Sequence, residues 1–77
     1  STQRYSATDN LLDTLTRRER SLSWLARKIG VSPQLMWFVS RGERTLAAEK
    51  AFAAALILGE PVEYLFVSQM QLIHVQE

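Results

Sequence analysis

Apolar residues recur at helical spacing in five stretches of this chain, separated by short polar or glycine-containing breaks. Leu11, Leu12 and Leu15 mark the first as an inward face. Asp9 stands where an N-cap belongs, and Arg17-Arg18-Glu19-Arg20 lie at the far end, where cations complement the negative pole of the helix dipole. A second helix, capped by Ser21 or Ser23, carries Leu25, Ala26 and Ile29 on one side. Gly30 then interrupts, and glycine just past a helix lets the chain leave through a left-handed conformation. Val31 follows as an inward plug. Ser32-Pro33 restart a helix, because the hydroxyl caps free N–H groups and proline at the first position has no N–H to leave unpaired. Met36 and Val39 are its inward stripe and Gly42 closes it. The small Ala26 suits a place where two helices cross closely.

Thr45 is the expected cap of a fourth helix over residues 46–58. That stretch is apolar nearly all round, with Glu49 and Lys50 as its polar residues. It predicts a helix buried on more than one side, either central or shared with a partner. Gly59 ends it, and Pro61 opens a short fifth helix through Phe66. Residues 1–8, STQRYSAT, have no period and read as a flexible arm, in which Arg4 and Tyr5 have the chemistry to touch a nucleic-acid groove. Residues 67–77 alternate in part and lean towards an extended strand, with His74 an exposed residue on it. A lone strand is not stable in water, so this tail needs a second subunit, a strand elsewhere, or a further domain to which it is the linker. The expectation is an all-α domain over residues 9–66: a compact bundle of about five short helices around a central helix-turn-helix, with a C-terminal extended strand.

Composition narrows the chemistry. Seventy-seven residues make one small domain, and 47% apolar content can supply its core. Without cysteine there are no disulfides or thiolate sites, and one histidine cannot hold a metal by itself, so neither metal nor cofactor is expected. No apolar run reaches the length of about 18 residues that marks a membrane span. No signal peptide is visible, and a cytoplasmic setting in a bacterial or phage-infected bacterial cell is expected. No enzyme is expected either. The chain lacks a supported carboxylate pair, a Ser/His/Asp set and a glycine-rich phosphate loop, and nothing orients His74 towards Ser32. Net charge is only +1, but Arg17, Arg18, Arg20, Arg27, Lys28, Arg41 and Arg44 are concentrated early, while Glu60, Glu63 and Glu77 come late. That distribution is compatible with one basic face and equally with ordinary solvated charge.

Residues 22–42, LSWLARKIGVSPQLMWFVSRG, resemble the helix-turn-helix of the phage lambda repressor and Cro family, the XRE-like domains. The matching positions are Leu25, Ala26, Ile29, Gly30, Val31, Ser32, Met36, Val39 and Gly42, at ungapped spacing. The likeness continues through the glycine-centred loop Arg41-Gly42-Glu43-Arg44 and the ending AAALILGEPVEYLF. It implies a sequence-specific, double-stranded DNA-binding transcriptional regulator of repressor or Cro type, with the third helix, residues 33–41, in the major groove. Binding as a dimer to a two-part operator is implied with it. On a wheel of about 3.6 residues per turn, Gln34, Trp37, Phe38 and Arg41 oppose Leu35, Met36 and Val39. On a helix so placed, the chemistry of these side chains suits Gln34 to adenine, Arg41 to phosphate or guanine, and Trp37 or Phe38 to a thymine methyl or deoxyribose. Ser21, Ser23, Ser32 and Pro33 stand at the helix starts that clamp phosphate, Arg44 in the loop that grips the backbone, and Arg17 and Arg18 as added contacts.

One feature departs from the family. PQLMWFVSR is unusually apolar for a recognition helix, since family members carry small polar or basic residues where Trp37 and Phe38 stand. Three readings follow. The aromatic pair reads DNA through apolar contacts; it binds a protein partner, making the domain an antirepressor-like interaction module; or the register is shifted and the pair is core.

Overall fold

A computed structural model of the chain describes residues 3–69; the expectations for residues 70–77, His74 among them, lie outside the described residues. The order of elements is β1 (Arg4–Ala7), α1 (Asp9–Arg17), α2 (Leu22–Ile29), α3 (Pro33–Ser40), β2 (Leu46–Ala47), α4 (Ala48–Leu58), α5 (Val62–Leu65) and β3 (Phe66–Ser68).

The helices are present, but the domain is not purely α-helical. A small antiparallel sheet runs in the order β2-β1-β3. Its central strand lies in the segment expected to be a free arm. Tyr5 pairs with Leu46 on one side and Ser68 on the other, so β1 joins β2 to β3. Tyr5 is buried, its ring edge-on to Phe52 at 5.6 Å. Arg4 is also committed internally: its Nε donates to Thr45 Oγ1 at 3.0 Å and a terminal nitrogen to the Thr45 carbonyl at 2.8 Å. Neither residue is therefore an arm reaching for a groove. The same contacts explain why Thr45 does not cap α4. It lies outside the helix, Leu46 and Ala47 pair with β1, and Ala47 is an N-cap with no side-chain hydrogen bond.

Thr8, one residue before Asp9, is the cap of α1. Its Oγ1 accepts from the Asn10 N–H at 3.2 Å and sits 2.9 Å from the Tyr64 carbonyl, to which it donates. Asn10 Nδ2 reaches the same carbonyl at 2.9 Å, so the start of α1 is stitched to α5. Leu11 and Leu15 are buried, whereas Leu12, expected inside, is 44% exposed because it falls off the stripe that Thr14 completes. The helix ends with Glu19 at φ 58°, a left-handed conformation that a side chain other than glycine adopts at a cost.

Leu25, Ala26, Ile29, Met36 and Val39 are all buried, which fits α2 and α3 together as the spacing implied. Gly30 has φ +80°, and Val31 N–H returns to the Ala26 carbonyl at 3.0 Å, the bond that reverses a chain at a helix end. Lys50 of α4 completes this corner, its ammonium donating to the Ile29 carbonyl at 2.9 Å.

α4 is not the central helix that was one of its two expected forms. Ala51, Ala54, Ala55 and Leu58 face inward along one stripe, while Phe52, Ile57 and above all Leu56, 84% exposed, face out. A run of apolar residues says nothing about which sides are covered, and here only one is. Pro61 precedes α5, and Phe66, expected to end it, begins β3 instead.

Candidate nucleic-acid interface

The two helix starts are built alike. Ser21 Oγ accepts from the Trp24 N–H at 3.0 Å and Ser32 Oγ from the Leu35 N–H at 3.1 Å, so each serine caps its helix in the extended backbone a cap requires. Both serines are exposed and Ser23 is half-buried. Pro33 occupies the first turn of α3, pre-set in φ, and Ser32, Pro33 and Gln34 at that end are exposed.

On α3 Met36 and Val39 are buried and Leu35 packs beside them against the core. Gln34, Trp37 and Arg41 are exposed and lie on one face at i, i+3 and i+7, while Phe38 is half-buried. Trp37 and Phe38, placed together on the outer side by the helical wheel, differ in exposure. Trp37 is 49% exposed. Phe38 instead turns towards the loop after α3 and lines a concavity of about 280 Å³ with Ser32, Gln34, Leu35 and Arg44. This concavity brings the polar residues of the helix start and the Arg44 guanidinium to one opening.

Trp37 is held in place. The Arg41 guanidinium carbon lies 4.8 Å from its ring centroid, and the Phe38 ring stands 5.2 Å away at 72°. Arg41 Nε also donates to Glu43 Oε2 at 3.2 Å. Arg41 thus has two internal partners. Both are half-exposed, so neither bond commits it strongly, but together they lay its guanidinium along the aromatic face.

A second cationic cluster surrounds Trp24. Arg20 lies 4.8 Å from the Trp24 ring centroid and Lys28 5.8 Å from it. Trp24 and Lys28 are one turn apart on α2, a spacing visible in the sequence, whereas Arg20 lies before the helix and reaches the ring from outside it. Arg17 and Arg18 are exposed yet lie elsewhere, against the α4–α5 turn. Arg17 pairs with Asp13 at 3.2 Å, and that hydrogen bond, helped by Glu60 and Tyr64, holds its guanidinium above the ordinary value. An Arg18 terminal nitrogen lies 3.5 Å from where Gly59 would carry a Cβ. The Arg17 charge is shared with Asp13 and Glu60, whereas Arg44 opens onto the α3 concavity.

Helix starts capped by serines, a turn fixed by Gly30 and an α3 with one exposed face define a small helix-turn-helix domain with a three-stranded sheet. Neither a protein-family model nor a curated protein sequence matches the chain. Among solved structures it is similar to the transcriptional regulator VanUg, with a TM-score of 0.64 over 88% of each chain at 18% identity, a likeness of fold. Among the described residues no helix is long and apolar enough to cross a membrane.

Proposed function

We propose that this domain is a sequence-specific regulator of transcription that binds double-stranded DNA in the manner of phage repressors, with α3 in the major groove. One observation carries this reading. Gln34, Trp37 and Arg41 stand on an uncovered face of α3, beside an opening shared by Ser32 and Arg44. An α-helix fits the major groove, an exposed glutamine pairs bidentately with adenine, and cationic and capped helix-start groups bind phosphate. The similarity in fold to VanUg, a transcriptional regulator, supports it. Ser21, Ser23 and Pro33 are assigned to the backbone contact, and Arg17 and Arg18 to its periphery. Two copies would occupy half-sites about 34 Å apart, one helical turn. The outward apolar side of α4, with Phe52, Leu56 and Ile57, offers surface for the pairing.

The test is selection of duplexes from a random pool, followed by titration of the winner at rising salt. If each chain contacts three or four phosphates, affinity per chain falls roughly 40- to 150-fold between 50 and 200 mM salt. Failure to retain any duplex, or a flat salt response, overturns the reading. Such a result would favour the protein-binding alternative, with the exposed Trp37 and the Phe38 beside it as anchor.

A further inference from the structure

We infer that Trp37 reads the C5-methyl group of a pyrimidine, the methyl of thymine or of 5-methylcytosine, in the major groove. This rests on the DNA-binding reading and names what the centre of α3 recognises. Three observations lead to it.

First, Trp37 is the large apolar side chain that α3 leaves outside. It is half-exposed at the middle of the helix, between Gln34 one turn earlier and Arg41 one turn later. Phe38, its neighbour, turns into the concavity beside the loop. Secondly, the ring is restrained before any ligand arrives, by Arg41 over it at 4.8 Å and by Phe38 at 72° to it. A restrained ring loses little rotamer freedom on binding, so apolar contact there is retained as affinity. Thirdly, the major-groove edges of the bases carry hydrogen-bond donors, acceptors and flat C–H positions, and the 5-methyl is the one apolar group that projects into the groove. A fixed apolar surface at the centre of a recognition helix has a matching group only there. Against unmethylated cytosine or a purine edge it would strip water from polar atoms and return no hydrogen bond to most of them. Arg41 takes on a supporting role. Lying along the indole, it holds the ring, and its charge stays close enough to the groove to attract phosphate.

Thymine and 5-methylcytosine present the same group, and the experiment separates them. The full chain is titrated by fluorescence anisotropy, at fixed salt, against the selected duplex and two substituted forms. One replaces each thymine in turn by deoxyuridine, which deletes the methyl alone. The other replaces each cytosine in turn by 5-methylcytosine, which adds it alone. Loss of one buried methyl contact weakens binding about fourfold, and gain of one strengthens it by a similar factor. A fourfold loss at one deoxyuridine position assigns thymine. A fourfold gain at one cytosine position assigns 5-methylcytosine. In either case Trp37→Ala and Trp37→Gln are expected to erase the discrimination while leaving the salt dependence steep, since the phosphate contacts lie on other residues. Folding of both variants is checked by thermal melting, and their half-exposed position leaves the core untouched.

Equal affinity for every substituted duplex, with the steep salt dependence intact, overturns the assignment of Trp37 and leaves the DNA-binding reading standing. Discrimination that persists in Trp37→Ala overturns it as well. If no duplex binds at all, both fall together.

Discussion

Replacing Gly30 by alanine tests the corner on which the presentation of α3 depends. Gly30 has φ +80°, so alanine must enter a left-handed conformation at a cost of roughly 1–2 kcal/mol. A second cost is specific to this site. The new Cβ would lie 3.3 Å from Lys50 Nζ, which is bonded to the Ile29 carbonyl at 2.9 Å. The ammonium can move aside, but its hydrogen bond then lengthens, and a half-buried charged bond of this kind contributes about 1 kcal/mol. Gly42 is the control. It has the same φ of +80° but nothing within 4 Å of a Cβ, so alanine there carries the conformational cost alone. Expected is a loss of about 2–3 kcal/mol for Gly30→Ala against about 1–2 for Gly42→Ala. In a domain of this size each kcal/mol lowers the melting temperature by about 4–8 °C. Urea and thermal unfolding of both variants measure the difference, and repetition in a Lys50→Met background should remove most of it, because the bond is already gone. Equal losses at the two glycines, or a difference that survives Lys50→Met, would refute the role given to Lys50.

Other substitutions probe separate parts of the fold. Glu19→Gly should raise stability by about 1 kcal/mol, because Glu19 is exposed at φ 58° and glycine occupies that region freely; an unchanged urea midpoint would count against it. Thr8→Ala should cost about 1–2 kcal/mol, removing both the α1 cap and the bond from Thr8 to the Tyr64 carbonyl. Calorimetry that finds no loss would mean the stitch between α1 and α5 contributes nothing. Arg44→Ala should flatten the salt dependence of duplex binding by about one unit of slope, whereas Arg17→Ala, already paired with Asp13, should change it far less.

The helix-turn-helix was legible because its determinants are local. Ser32-Pro33 states a helix start and Gly30 a helix end within a few residues, and the buried stripes of α2 and α3 follow at i+3 and i+4. The sheet was not legible, and distance is the reason. β1 has four residues and β2 two, and their partners lie some forty to sixty positions away in the chain. RYSA is too short to show alternation, and its stability comes from pairing rather than from propensity. Arg4 illustrates the consequence, since its polar side chain looked free in sequence and is spent on Thr45 in the fold. The cap of α1 shifted by one residue for a related reason: Asp9 is locally as good a cap as Thr8, but Thr8 also reaches Tyr64. At the candidate interface, periodicity picked out the outward face of α3. It did not separate Trp37 from Phe38, because whether the loop after α3 folds over one of two adjacent aromatics is decided by tertiary contact.

The most direct test of α3 as the nucleic-acid reader is the amide spectrum of the labelled chain, recorded as the selected duplex is added. The largest shifts are expected at residues 32–44, with smaller ones at Ser21 and Ser23. Shifts centred instead on the exposed apolar side of α4, or a spectrum that does not change as duplex is added, would contradict the assignment of α3 to the groove.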